Sequence, residues 1–256
     1  MIFVDVCQLI PHERIDVLDE ADPEHLDFIA FSGHKMYAPF GIGVLIGPRR
    51  FFDSVVPYQL GGGNLSYITP DLKMVRSFRE RDNDAGTPNA IGVLALEESI
   101  RQMEQIGFSR ISFYERNLTR IAVQGLCSIP NAIVYLREPH GTVIPFDIEG
   151  VPSRLTAEVL AQEFGIGTRA GSFCTYELIR KLKYITPYEE AKIKRDLEEG
   201  ITASVPSVVR ASFSIYNSPE DAARFVCSVR KIAEKGFEFY KSRYATNPIN
   251  GDWHPT

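Results

Sequence analysis

Two short apolar runs near the start of the chain limit the folds open to it. They are residues 2–6 (IFVDV) and 27–31 (DFIAF), and the second leads directly into Ser32, Gly33, His34 and Lys35. Short apolar runs without helical spacing fit strands buried on both faces, the pattern of a parallel sheet. Residues 43–46 (GVLI) read the same way, and an acidic, proline-containing stretch at 16–26 connects the first two runs. Ligands of open α/β sheets bind at the carboxyl ends of strands. Asp5 ends the first run, and the tetrapeptide at 32–35 follows the second.

The rest of the chain alternates. A helical pattern runs from Pro88 to about Ile106, with Ile91, Leu94, Ala95 and Glu98 at helical spacing and Gly107 as its stop. A second helix is expected from Ser109 to about Leu126. Strands are then expected at 132–136, 142–147 and 208–213, and helices at 153–164 and about 188–199. The last helix is marked by Ser218 as N-cap, Pro219 at its first position and Asp221 completing a capping box. Its apolar face is Phe225, Val226, Val229 and Ile232, and Gly236 is placed to bend it. These patterns suggest an α/β unit over 1–110, an α+β unit over 111–245 and a polar surface arm over 246–256, with the boundary near 108–115. A strand beginning at residue 2 has no earlier strand to pair with, so the chain reads as cut at its front.

Composition narrows the function classes. A formal net charge of -5 argues against a nucleic-acid surface, which needs clustered Lys and Arg. No apolar run reaches the roughly 18 residues of a spanning helix, and the first residues are not expected to form a signal peptide. The cysteines stand at 7, 127, 174 and 227 without a C-x-x-C pair, so no metal site is expected. Free thiols suit a reducing compartment, and the expectation is a cytoplasmic protein. Cys7, Cys127 and Cys227 are expected to be small buried hydrophobes.

Five segments carry chemistry. Lys35 can attack an aldehyde carbon only when neutral, and the small residues before it let backbone approach a phosphate to which Ser32 and His34 can donate. By itself the tetrapeptide fits a surface turn equally well. Asp5 adds a carboxylate of the kind that keeps the pyridine nitrogen of pyridoxal 5′-phosphate (PLP) protonated, the state in which that cofactor withdraws electrons. Gln8 is placed to donate to the cofactor's ring oxygen. Residues 85–89 (AGTPN) open a helix whose free N–H groups suit an anion, with the Thr87 hydroxyl beside them; Thr87 could equally be a plain helix cap. Residues 169–174 (RAGSFC) read as a loop in which Arg169 and a following helix favour the Cys174 thiolate. Arg210, in the strand segment 209–212 (VRAS), calls for an anion, either a substrate carboxylate or a structural partner.

In this order and at these separations, the segments VDVCQ, FSGHKMYAPFGIGVL, AGTPN, RAGSFC and VRASFSIYN resemble the class V aminotransferase family of fold type I PLP enzymes, especially cysteine desulfurases and selenocysteine lyases. The similarity runs from about Asp5 to about Lys231. It implies the C-terminal part of a mostly parallel PLP-binding large domain over 1–110, followed by an α+β small domain. Asp5 would pair with the pyridine nitrogen and Gln8 with the ring oxygen. Ser32 and His34 would hold the phosphate, and Lys35 would form the Schiff base. Thr87 would reach the phosphate of a partner subunit, which implies a homodimer. Arg210, helped by Arg169, would bind the carboxylate of a small amino-acid substrate. Cys174 would take the substrate's sulfur as a persulfide, releasing alanine, and pass it to a sulfur-acceptor protein. Departures leave an aminotransferase or epimerase open: Ser172 and Phe173 stand where two His often precede the Cys, residues 184–206 are long, and residues 61–64 (GGGN) look less desulfurase-like. Family members also carry roughly another half-chain before Asp5, so the expectation is a fragment inactive on its own, or a subunit completing another polypeptide.

Overall fold

The apolar runs at the front of the chain do form strands. β1 (Phe3–Asp5) pairs in parallel with β2 (Phe28–Ser32), with Asp5 opposite Ala30. This computed structural model describes residues 1–76, 83–138 and 141–256 and divides the chain into two units, Met1–Ile111 and Ser112–Thr256.

In the first unit, Ser32 leads into a single 3-10 turn (Gly33–Met36), closed by Tyr37 in the left-handed region. β3 (Gly43–Ile46) returns antiparallel to β2, completing a sheet of order β1-β2-β3. Both the direction of β3 and the burial of the outer strands differ from the sequence expectation. An apolar run cannot encode strand direction, and β1 has a neighbour on one side only, which leaves Phe3 60% exposed. The core of this sheet is Val6, Phe28, Ile29 and Phe31 with Met36 and Ala38. After helix α1 (Arg49–Ser54) comes an antiparallel pair, β4 (Leu65–Ile68) and β5 (Met74–Arg76). Helix α2 (Ala90–Ile106) ends at Gly107, as its sequence required. Its inward face is Gly92, Leu96 and Met103, with Ser99 Oγ donating to the Met36 carbonyl. The expected stripe is out of phase with this face: Ile91 and Leu94 are each 65% exposed. Asn89, not Thr87, caps the helix, its Oδ1 accepting from Gly92 N at 3.0 Å.

Most of helix α3 (Phe108–Cys127) belongs to the second unit. There follow β6 (Ala132–Val134), β7 (Val143–Ile148), α4 (Ser153–Phe164), β8 (Arg169–Gly171), α5 (Tyr176–Leu182), α6 (Pro187–Glu198), β9 (Val208–Ser212) and α7 (Pro219–Lys241). The sheet is antiparallel throughout, in the order β6-β7-β9-β8. Ile144, Phe146, Val209 and Ala211 face Leu118, Leu126, Leu155, Val159, Phe225, Val229 and Ile232 of α3, α4 and α7 in one core. The capping box of α7 is formed as read, and Gly236 takes a non-helical φ of 71°. The terminal residues are not a free arm. β10 (Tyr244–Thr246) and β11 (Trp253–Pro255) form a hairpin, the Trp253 ring meets Phe237 edge-on at 6.1 Å, and Asp252 pairs with Arg154 at 2.8 Å. Trp253, Tyr244 and the aromatic side of α7 provide the apolar contact that the polar composition of this segment concealed.

Candidate active site

The parallel register of β1 and β2 brings Asp5 and the Ser32–Lys35 turn to the same edge of one sheet, at the carboxyl ends of neighbouring strands. Side chains from different strand ends converge there because parallel strands finish together. Gly33 is held tightly: its N–H donates to the Ile42 carbonyl at 2.7 Å, and a Cβ on it would overlap Ile42 Cγ2. Ser32 Oγ lies 3.9 Å from Cys7 Sγ. Asp5 Oδ1 accepts from the Cys7 amide at 2.9 Å. Hydrogen bonding from Cys7, thiol and amide, holds the Asp5 carboxyl below its ordinary value against the opposing effect of burial, and the charge of Lys35 adds a lesser push in the same direction as the hydrogen bonds. Asp5 and Lys35 therefore feel each other's charge. Lys35 is half-buried and, among the described residues, its amine has no hydrogen-bond or ion-pair partner. Gln8, in the turn after β1, and His34 are exposed.

Thr87 is exposed and makes no hydrogen bond among the described residues. The loop that carries it is fixed through its neighbours, with Asn89 Nδ2 donating to the Phe40 carbonyl at 2.6 Å and Gly86 N to the Gly62 carbonyl at 2.6 Å. Asn64, fully buried, holds its own loop through Gly61 N and the Gln59 carbonyl.

In the second unit Arg169 is on β8 rather than in a loop, directly opposite Arg210 of β9. A three-residue strand ending in Gly leaves almost no sequence signal. Opposed residues of an antiparallel pair share a face, here the face away from Val209 and Ala211. Neither guanidinium has a carboxylate partner among the described residues, and Arg210 Nε is buried without a hydrogen-bond partner. Burial, and then the charge of Arg169, lowers the pKa of Arg210. The Phe173 ring stands 4.7 Å from the Arg210 Cζ and 5.8 Å from the Arg169 Cζ, an aromatic contact absent from the sequence reading. Cys174 is exposed in the loop before α5. Cys127 and Cys227 are exposed too, contrary to expectation, and Cys7 is half-buried. Cys127 is the last residue of α3, and Cys227 falls outside the stripe formed by Phe225, Val226, Val229 and Ile232.

The sequence also gave no sign of a buried network behind α5. Asp147 accepts from Tyr135 OH at 2.7 Å, Ser153 Oγ at 2.6 Å and Lys183 Nζ at 2.5 Å. Burial, reinforced by the hydrogen bond to Asp147, raises the pKa of Tyr135 far above its ordinary value. Among the described residues, no helix is long and apolar enough to cross a membrane.

An α/β unit followed by an α+β unit matches part of the fold of fold type I PLP enzymes, and solved structures agree. The chain superposes on a cysteine desulfurase from Thermococcus onnurineus NA1 with a TM-score of 0.72 and 30% identity, covering 91% of this chain and 52% of that one. For the cysteine desulfurase CsdA of Escherichia coli the TM-score is 0.75 at 27% identity, covering 93% and 53%. The chain belongs to the class-V aminotransferase family, whose model matches residues 1–225, a family of PLP-dependent enzymes. Curated relatives include a cysteine desulfurase of Wigglesworthia glossinidia brevipalpis, 30% identical over 90% of this chain and 50% of its own length. A probable cysteine desulfurase of Staphylococcus aureus (strain COL) is 30% identical over 91% of this chain and 51% of its own. The chain thus spans about half the length of the curated relatives it matches.

Proposed function

We propose that the protein acts in PLP-dependent desulfuration of cysteine. The observation that carries this reading is the exposed Cys174 thiol, next in sequence to the aromatic ring that seats two carboxylate-free arginines. The residues of the first unit fit the cofactor: a partnerless amine at Lys35, an exposed carboxylate at Asp5 held in its charged form, hydroxyl and imidazole donors at Ser32 and His34, and a backbone at Gly33 with no room for a side chain.

Lys35 would hold the cofactor covalently, Asp5 would keep a proton on its pyridine nitrogen, and Gln8 would donate to its ring oxygen. Ser32 and His34 would bind its phosphate, and Thr87 would do so for the phosphate of a second subunit in a homodimer. When bound, PLP supplies an electron sink for the substrate's α-carbon. The chain's own groups do the rest. The planar fork of Arg210 orients the substrate carboxylate, assisted by Arg169. Cys174 Sγ attacks the substrate sulfur: the carbon–sulfur bond breaks, a sulfur–sulfur bond forms on Cys174, and the carbon takes a proton and leaves as alanine. The persulfide is then available to an acceptor protein.

The test is Cys174→Ala, with L-cysteine, PLP and a dithiol reductant that releases the persulfide sulfur as sulfide. Alanine and sulfide formation should vanish. Persistent exchange of the substrate amino group, or inversion of its α-carbon, would instead establish an aminotransferase or epimerase in which Cys174 is idle.

A further inference from the structure

Arg169 and Arg210 are cross-strand neighbours of like charge, an arrangement that ordinarily opposes strand pairing. Among the described residues no carboxylate offsets it. What faces both guanidiniums is the ring of Phe173, and an aromatic face attracts cations through its quadrupole. The Arg210 Cζ lies over the ring, 4.7 Å from its centroid, and a carboxylate binds a guanidinium through its N–H edge.

The backbone beneath the ring is unusual. Thr175 N donates to the Ser172 carbonyl at 2.8 Å, closing a four-residue turn, and the Thr175 hydroxyl donates to the same oxygen at 2.6 Å. Its two central residues, Phe173 and Cys174, have φ of 53° and 62°. Positive φ at both central positions is the type I′ pattern, normally filled by Asn and Gly. Neither Phe nor Cys favours it, so tertiary contact must hold the turn. The ring supplies that contact: it folds back over β8, close enough that a Cβ on Gly171 would lie 3.7 Å from it. Cys174 is the next residue and inherits whatever backbone the ring enforces.

We propose that Phe173 is a positioning residue, its ring seating the Arg169–Arg210 pair while its left-handed backbone sets the presentation of the Cys174 thiol. One side chain thereby couples the carboxylate-binding fork to the sulfur-accepting group. The proposal rests on the functional reading of Arg210 and Cys174 given above, and its test is independent of turnover.

The experiment compares Phe173→Leu, which keeps apolar bulk but lacks a π-face, with Phe173→Tyr, which restores the face. The whole chain is alkylated with iodoacetamide, and peptide mass spectrometry resolves Cys174 from Cys7, Cys127 and Cys227. A cation–aromatic contact corresponds to a change of about 3- to 30-fold. The Leu variant should shift the Cys174 rate by that factor and leave the other three cysteines unchanged. The Tyr variant should stay within about 2-fold of the parent at Cys174, below that range. The Arg210 Nε–H resonance should lose its ring-current shift in the Leu variant and keep it in the Tyr variant. Arg210→Gln, which removes the cation and spares the ring, should move the Cys174 rate in the same direction as Leu. An unchanged Cys174 rate in the Leu variant, or equal changes with Leu and Tyr, would overturn the proposal. Failure of the desulfurase reading would appear separately, as alanine formation that survives Cys174→Ala.

Discussion

Replacing Gly33 with Ala tests how tightly the Ser32–Lys35 turn is built. The added Cβ would overlap Cγ2 of Ile42 and stand 3.2 Å from the Ile42 carbonyl oxygen and 3.5 Å from Ala38 Cβ. Ile42 is half-buried, so its side chain can rotate away at a cost of about 0.5–1.5 kcal/mol if it leaves a rotamer well. The carbonyl cannot retreat without lengthening the 2.7 Å bond it accepts from Gly33 N–H, worth about 0.5–1.5 kcal/mol net. Together these give a destabilisation of about 1–3 kcal/mol, the usual range for overpacking. Hydrogen exchange read by mass spectrometry on peptides covering 28–46 would report it as a fall in protection of about 5- to 150-fold. Peptides from the second unit should be unaffected. Gly43→Ala is the control, because its Cβ would meet nothing nearer than the Phe31 carbonyl oxygen at 3.8 Å, and a change below about 0.5 kcal/mol is expected. Equal behaviour of the two variants would refute the argument that close backbone approach requires glycine at 33.

Three further outcomes are expected. Asp147→Ala removes the acceptor shared by Tyr135, Ser153 and Lys183 and should cost about 3 kcal/mol, the low end for breaking a buried pair, since Lys183 is 27% exposed and can reach water. Urea unfolding followed by the single tryptophan, Trp253, measures this, and a loss under about 1 kcal/mol, typical of an exposed pair, contradicts it. Carbon NMR should find Asp5 titrating below 3.8, and Lys35→Ala should move it upward. Because the folded-state value is depressed, the carboxylate's contribution to stability is present above 3.8 and disappears as pH falls through the lower value; titration at or above 3.8 would show the Cys7 and Lys35 interactions to be absent. Trp253→Ala should lower the urea midpoint, read by circular dichroism, by the equivalent of about 1–2 kcal/mol, less than for a fully buried ring. An unchanged midpoint would return the last residues to a free arm.

The parts of the fold that could be read in advance are those with a local physical signature. The Ser218–Asp221 capping box, the apolar stripe of α7, the Gly107 stop and the span of α4 all depend on neighbours within a few residues. What escaped depends on distant partners. The antiparallel direction of β3 follows from its pairing with β2, the strand character of Arg169–Gly171 exists only beside β9, and the phase of α2 was set by contacts such as Ser99 with Met36. The site divides the same way. The positions of Asp5 and Lys35 at neighbouring strand ends were legible because strand ends are marked in sequence. The Phe173 ring under two arginines, and the Lys183–Asp147 pair spanning 36 positions, were not, because spacing says nothing about which side chains meet across a sheet.

The account stands on the amine at Lys35 being where the coenzyme is bonded. Supplying PLP to the protein, reducing with borohydride and mapping peptides by mass spectrometry tests this directly. A pyridoxyl adduct concentrated on Lys35, weakened by Asp5→Asn and absent in Lys35→Ala, is the predicted result. Label scattered over surface lysines, unchanged when Lys35 is replaced, would contradict it.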